Sequence, residues 1–156
     1  MEATPLRMAR RGDLPSLHAL WQAWLAEQAR GDARRAPHPD AGPWLASHVA
    51  AILQDPDHVL LVAEEGGRLV VAFAVARLLP APPGALREAE IGEVFVAPPR
   101  RRRGLARRLV QRTLDLLHER GVREVRASVP EGHPGALAFG RSLGFEPVEL
   151  LLQREA

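Results

Sequence analysis

One passage constrains the fold more than any other: Val94-Phe95-Val96-Ala97-Pro98-Pro99 followed by Arg100-Arg101-Arg102-Arg103-Gly104-Leu105-Ala106. The apolar run reads as a strand that two prolines must end, because proline lacks the N–H that a sheet ladder uses. Beyond the glycine, Leu105, Leu109, Thr113 and Leu116/Leu117 recur at the spacing of one helical face, and Gly121 suits the left-handed position that closes a helix. A strand therefore passes through an arginine–glycine loop directly into a helix start. Helix N-termini carry partial positive charge and favour acidic residues. Here seven arginines fall between Arg100 and Arg112, and no Asp or Glu stands between Glu93 and Asp115. A local rule broken this heavily marks a functional site, and a bound anion, most simply a phosphate, would offset the charge.

The remainder fits one domain spanning 1–156. Apolar content of 46% and charged content of 26% are ordinary for a globular chain of 156 residues, which is long enough for a substantial core. No apolar run approaches the roughly 20 residues of a membrane span, and Met1–Arg11 lacks the apolar stretch of a secretory signal. The absence of Cys excludes disulfides, thiolate metal sites and cysteine nucleophiles. A cytoplasmic protein is expected. All 21 basic residues are Arg, but 19 acidic residues leave a net charge of only +2, so composition does not argue for nucleic acid. His18, His48, His58 and His118 are scattered without ligand spacing, so no metal is expected.

Periodicity gives the order β-α-α-β-β-β-α-β-α-β, an α/β or α+β architecture. A short strand is expected over residues 4–9. A helix then runs from an Asp13 N-cap to about Gln28, and a second covers Trp44–Leu53. Val59–Ala63 and Leu69–Leu79 read as strands joined by the turn Glu64-Glu65-Gly66-Gly67, and a further strand covers about Arg87–Ala97. After the long helix, Val122–Val129 alternates as a strand with Val125, Ala127 and Val129 on one face. Ala136, Phe139, Gly140 and Leu143 then form a helical stripe stopped by Gly144, and Phe145–Gln153 reads as a final strand.

The arginine loop admits three readings: a solvated basic turn, a nucleic-acid patch, or a cradle of backbone N–H groups that holds a pyrophosphate with arginine support. The second lacks interleaved aromatics, since Phe95 is the sole nearby one. The loop is neither a Gly-Lys-Ser/Thr P-loop nor Gly-x-Gly-x-x-Gly.

Arg101-Arg102-Arg103-Gly104-Leu105-Ala106 resembles the Arg/Gln-x-x-Gly-x-Gly/Ala acyl-CoA loop of the GNAT N-acetyltransferases, and Val94–Pro98 resembles that family's fourth strand. The run from His133 through Ala136, Phe139, Gly140 and Leu143 to Gly144-Phe145 is similar to its later Asn-x-x-Ala-x-x-Phe-Tyr-x-x-x-Gly-Phe segment. The resemblance implies a mixed sheet of about six to seven strands flanked by about four helices, with strands four and five splayed. It implies acetyl-CoA as cosubstrate. Backbone N–H groups of Arg102, Arg103, Gly104, Leu105, Ala106 and Arg107 would hold the pyrophosphate, aided by the Arg101 or Arg103 side chain. Val94, Phe95 and Val96 would pair with the pantetheine arm, Ala127–Val129 would form the opposite wall, and His133, Ala136 and Phe139 would lie along the cofactor.

Acetylating an amine requires a neutral nucleophile, so a base is expected. Glu93 is the candidate, with an ion pair to a neighbouring arginine as its alternative role; Glu90 is the second choice, on the opposite face of a regular strand unless a bulge intervenes. The resemblance assigns an oxyanion donor to the amide near Val96. It also places the family's tyrosine acid at Gly140, and the chain contains no Tyr. Ser142, His133 and water are substitutes, with His133 read first as a helix cap or loop residue and Ser142 as solvent-facing. The expected activity is transfer of acetyl to a primary amine of a small molecule or a protein N-terminus in a ternary complex, by a monomer or homodimer without a membrane partner. A catalytically degenerate acyl-CoA-binding module is the alternative, and an arginine-rich nucleic-acid binder a distant third.

Overall fold

A computed structural model describes residues 3–36, 41–130, 132–154 and 156. Its elements are β1 (Leu6–Met8), α1 (Leu14–Gly31), α2 (Ala41–Gln54), β2 (His58–Glu65), β3 (Leu69–Leu78), β4 (Arg87–Val96), α3 (Leu105–Glu119), β5 (Val122–Ala127) and α4 (Pro134–Ser142). The strands form one sheet in the order β1-β2-β3-β4-β5, antiparallel except for the parallel β4–β5 pair. No helix is long and apolar enough to cross a membrane among the described residues.

Alternation along the strands divides the core in two. Val59, Leu61, Ala72, Ala74, Ala89, Ile91 and Val96 pack with Leu105, Leu109, Val110 and Leu117 of α3. The intervening Leu60, Val62, Phe73, Val75 and Phe95 meet Leu17 and Trp21 of α1 and Leu45, Val49 and Ile52 of α2. Trp21 stacks on Phe73 with ring centroids 4.5 Å apart, and both are fully buried. The β2–β3 hairpin turns at Gly66 (φ 59°) and Gly67 (φ 70°), where two consecutive left-handed residues match the twist of the flanking strands. Gly121 (φ 81°) ends the α3 region as expected.

Three expectations fail. Among the described residues the sheet has five strands rather than six to seven. The segment expected as a final strand, Phe145–Gln153, forms no strand and pairs with none among the described residues, because alternation reports which faces can be buried and not whether a strand edge is within reach. Asp13 does not cap α1 through its side chain. It accepts instead from the Arg10 amide (2.8 Å) and from both terminal nitrogens of Arg7 (2.7 and 2.8 Å), which also binds Glu64. The Arg7 guanidinium holds the Asp13 carboxyl below its usual range. The loop expected over Gly31–Pro43 is described except for residues 37–40, and that over Pro130–His133 except for residue 131. α2 starts at Ala41, three residues earlier than expected.

Phe73 lies at the centre of the α1/α2-side core and is 0% exposed. Phe73→Ala is expected to cost about 3–5 kcal/mol in urea unfolding, because the well-packed Trp21 stack cannot collapse into the void.

Candidate active site

The site begins where two strands part. β4 pairs with β5 from Arg87↔Val122 to Ile91↔Ala127, and then continues to Val96 with no β5 neighbour. The Ala97 amide donates to Val71 on β3 at 2.9 Å. By antiparallel alternation Phe95 also faces β3, so Val94 and Val96 turn their N–H and C=O groups toward the gap.

A bulge sets the side chains. Ala74 pairs with Val94 and Ala76 with Ile91, so Gly92 and Glu93 together oppose Val75. The extra residue reverses the alternation. Ile91 and Val96 therefore both face α3, and Glu93 joins Glu90 and Phe95 on the α1/α2 side. Glu90 thus shares a face with Glu93, as a bulge allows. Burial raises the half-buried Glu93 carboxyl above its ordinary range, its own amide and the charge of His58 oppose the shift, and Glu90 adds to it. Glu93 has no ion-pair partner among the described residues, and the alternative of an arginine pair finds no support there. Glu90 lies 3.5 Å from Arg77 and 3.5 Å from the Ser128 hydroxyl.

The loop between β4 and α3 is fastened by its arginines. Arg100 meets Glu65 of β2 at 2.7 Å. Arg101 turns inward: its Nε donates to the Val96 carbonyl (2.8 Å), its guanidinium lies 5.2 Å over the Phe95 ring, and Nη2 reaches Glu27 of α1 (2.5 Å). Arg107 donates to the Ser142 hydroxyl at 2.7 Å and Arg108 to the Thr4 carbonyl at 2.9 Å. Ser142 is therefore a structural partner of Arg107, although exposed as expected. Acidic partners that are missing locally come from β2 and α1. Arg102 and Arg103 are exposed and make no side-chain bond among the described residues.

Between these clamps the backbone makes a cradle. Arg102 (φ 63°) and Gly104 (φ 72°) are left-handed, a conformation unfavourable for a residue with a Cβ such as Arg102. The first amide of α3 to find a helical acceptor is that of Arg108, on Gly104 at 3.1 Å. The N–H groups of Arg102–Arg107 have no backbone partner among the described residues, and no acidic residue stands in the first turn. Such a run of free amides at a helix N-terminus binds anions.

A cavity of about 280 Å³ lies over this cradle, lined by Val94, Phe95, Val96, Arg100, Arg101, Arg102, Gly104, Leu105, Ala106 and Arg107, and by Trp24, Glu27 and Gln28 of α1. Arg103, Ala136 and Phe139 lie outside that lining, Phe139 packing instead against the α3-side core. His133 precedes α4 without capping it through its side chain, and its ring sits against Gly31 at the end of α1, where an added Cβ would approach Nε2 to 2.7 Å. Val129 lies beyond the end of β5 and is partly exposed. Glu27 and Gln28 were missed in the sequence, although Trp24, Glu27 and Gln28 stand at i, i+3 and i+4 on one helical face.

The acetyltransferase (GNAT) family model matches residues 18–145, and the chain belongs to that family. No curated protein matches the chain by sequence. Among solved structures, a tetramutant of the BH1408 protein of Bacillus halodurans superposes with a TM-score of 0.84 at 17% identity, covering 97% of this chain and 99% of that one. The aminoglycoside acetyltransferase meta-AAC0020 from an uncultured soil metagenomic sample, in complex with sisomicin, has a TM-score of 0.74 at 20% identity, covering 97% and 94%. AAC(6')-Iy, in complex with a bisubstrate analogue joining CoA to an acetylneamine group, has a TM-score of 0.77 at 20% identity and 99% coverage of both chains. At these identities the likeness is one of fold.

The loop's arginines divide into two groups with separable effects. Arg101→Ala removes a carbonyl bond, a ring contact and a half-exposed ion pair, and is expected to cost about 1–2 kcal/mol of stability in urea unfolding. Arg102→Ala and Arg103→Ala are expected to change stability by less than about 0.5 kcal/mol. On the acetyl-CoA reading of the loop, each should weaken CoA binding several-fold by calorimetry, through loss of a charge-assisted contact.

Proposed function

We propose that the 156 residues form one acetyl-CoA-dependent N-acetyltransferase domain, acting in the cytoplasm on a primary amine of a small molecule or a protein N-terminus. The observation that carries this reading is the open β4 edge at Val94–Val96 beside the partnerless amides of Arg102–Arg107. An extended amide-bearing chain can add to the strand edge by β-augmentation while its pyrophosphate rests on the helix start. The cosubstrate fits the donor set, and the family membership supports it. CoA and aminoglycosides in two structural neighbours support an amine acceptor.

The chemistry needs three contributions. A free alkylamine has a pKa near 10.4, so only about one in 2,500 is neutral at pH 7. Glu93, directly or through a water, takes the proton as the amine nitrogen attacks the thioester carbonyl carbon. The Val96 amide faces the gap and donates to the oxygen that becomes negative. The C–S bond then breaks and releases a thiolate. With a thiol pKa near 8.5, that leaving group departs without a phenolic acid, which is consistent with glycine at position 140. Transfer is direct, with no covalent enzyme intermediate. Gly140 also favours a second reading, a CoA-binding module without turnover. Thiol release from acetyl-CoA across a panel of amines, peptides and aminoglycosides decides between them, with absence of release from every amine in favour of the binder.

Glu93 ties activity to pH and stability in opposite senses. A base must be deprotonated, and a raised carboxyl pKa moves the acid limb of kcat/KM to higher pH than an ordinary carboxylate would give. The Glu93→Gln change should abolish that limb and lower kcat about 100- to 10,000-fold. Because the folded state holds this proton more tightly than the unfolded one, its stabilising effect is lost as pH rises from the unfolded through the folded pKa. Glu93→Gln is therefore expected to raise the melting temperature at neutral pH, while wild type and variant converge in acid.

A further inference from the structure

Position 92 holds a glycine that neither the backbone nor the packing requires. Its φ is not left-handed, unlike that of Gly66, Gly67 or Gly104. Beyond its chain neighbours, a Cβ built there would meet only Val75 among the described residues. The Val75 Cγ1 would lie at 3.5 Å and the Val75 carbonyl oxygen at 4.0 Å, both ordinary contacts. Glycine inside a strand is less favourable than Ala, because it loses more freedom on folding and has no side chain to pack. The position therefore gives up stability for an opening that a side chain would fill.

That opening adjoins the proposed base. Ile91 is the last residue of β4 with a β5 neighbour, so Gly92 stands where the two strands part. Gly92 and Glu93 together form the bulge opposite Val75. Contact of the added Cβ with Val75 Cγ1 puts the missing side chain on the α1/α2 face, where Val75 packs and where Glu93 and Glu90 also lie. Gly92 is exposed, and it is the one exposed residue of β4 after Arg87. The floor of the opening is apolar, because Val75 is itself 4% exposed. Glu90, 3.5 Å from Arg77, follows on the same face.

We propose that Gly92 is a specificity-determining residue for the acceptor: the space it leaves receives an aliphatic substituent on the carbon that bears the amine. The acceptor class is then an amine on a branched carbon, such as the α-amine of an aliphatic amino-acid unit. This rests on the acetyltransferase reading with Glu93 as base. A nitrogen within hydrogen-bond reach of Glu93 carries its own carbon one bond further on. A substituent on that carbon falls where a side chain of the adjoining residue would stand. Any residue with a Cβ at 92 fills the place from the protein, whereas glycine leaves it to the substrate. An aliphatic group there is covered by Val75; an unbranched amine leaves the space empty and gains nothing from it.

The test compares glycinamide with valinamide, which differ only in that substituent, by thiol release from acetyl-CoA. Wild type should show the higher kcat/KM with valinamide. Gly92→Ala should lower kcat/KM for valinamide at least about 10-fold, the effect of one methylene in a closed pocket, and change that for glycinamide less than about 3-fold. Gly92→Ser, of similar size, should behave in the same way. Both variants should keep the melting temperature and CoA affinity of wild type, since the added Cβ makes ordinary contacts. A wild type that prefers glycinamide, or variants that lose both acceptors equally or neither, would overturn the proposal while leaving acetyl transfer intact. Absence of thiol release from wild type and variants with every amine would instead overturn the acetyltransferase reading, and this inference with it.

Discussion

β4 loses its parallel neighbour at Ile91 while its antiparallel partner β3 continues to Val96, and the whole site is arranged around that parting. A strand edge inside a protein ordinarily satisfies its peptide groups, because a buried unpaired amide costs on the order of 1–3 kcal/mol. Here the groups of Val94 and the amide of Val96 open instead onto a cavity, while the Val96 carbonyl accepts from Arg101. The Gly92–Glu93 bulge at the same place reverses the side-chain alternation, bringing Glu93 beside Glu90 on the α1/α2 face and returning Val94 and Val96 to the α3 side. One extra residue thus provides both the open edge's register and the carboxylate beside it. Without the bulge Glu93 would point into the apolar packing under α3, where its charge would have no counterpart.

The arginines show how a charge anomaly in sequence becomes an ordered structure. Loading a helix start with cations is unfavourable, yet Arg100, Arg101, Arg107 and Arg108 each project away from the α3 N-terminus to an acceptor elsewhere. Arg100 and Arg101 tie the loop to β2 and α1, and Arg107 and Arg108 tie α3 to α4 and the chain's beginning. This fastening helps maintain the left-handed Arg102, a conformation that a free loop would relax. Among the described residues, the cations that remain unpaired beside the free amides are then Arg102 and Arg103. The structural reading of the loop falls to Arg100, Arg101, Arg107 and Arg108, and the proposed ligand-binding role to Arg102 and Arg103.

This division explains what was legible in the sequence. The strand–loop–helix at Val94–Leu105, the helical faces and the Gly-Gly hairpin are local patterns, and each appears within a few residues of its expected bounds. Glu27 was invisible as a site residue because its role depends on a contact between α1 and a loop 74 residues away. The acidic partners of the arginines escaped notice for the same reason, since Glu65 and Glu27 lie far from Arg100 and Arg101 along the chain. The final strand failed because periodicity specifies a face but not a partner. Asp13 has the composition of a cap, yet a bidentate contact with Arg7 outcompetes the helix amides for its oxygens.

At Gly140 the chain carries no side chain at all. A Cβ there would meet Phe145 at 3.8 Å, ordinary contact, so backbone crowding does not impose the glycine. What distinguishes the position is chemical: the family resemblance puts a phenol here, and this chain has none. Proton removal from an amine of pKa near 10.4 is the harder demand at neutral pH, whereas a thiolate is a tolerable leaving group. On the proposed mechanism, a chain with a desolvated carboxylate at Glu93 and no phenol would keep the more demanding half of acid–base catalysis. On that mechanism the barrier would fall mainly on deprotonation and attack, and the basicity of the amine, rather than the fate of the sulfur, would govern the rate.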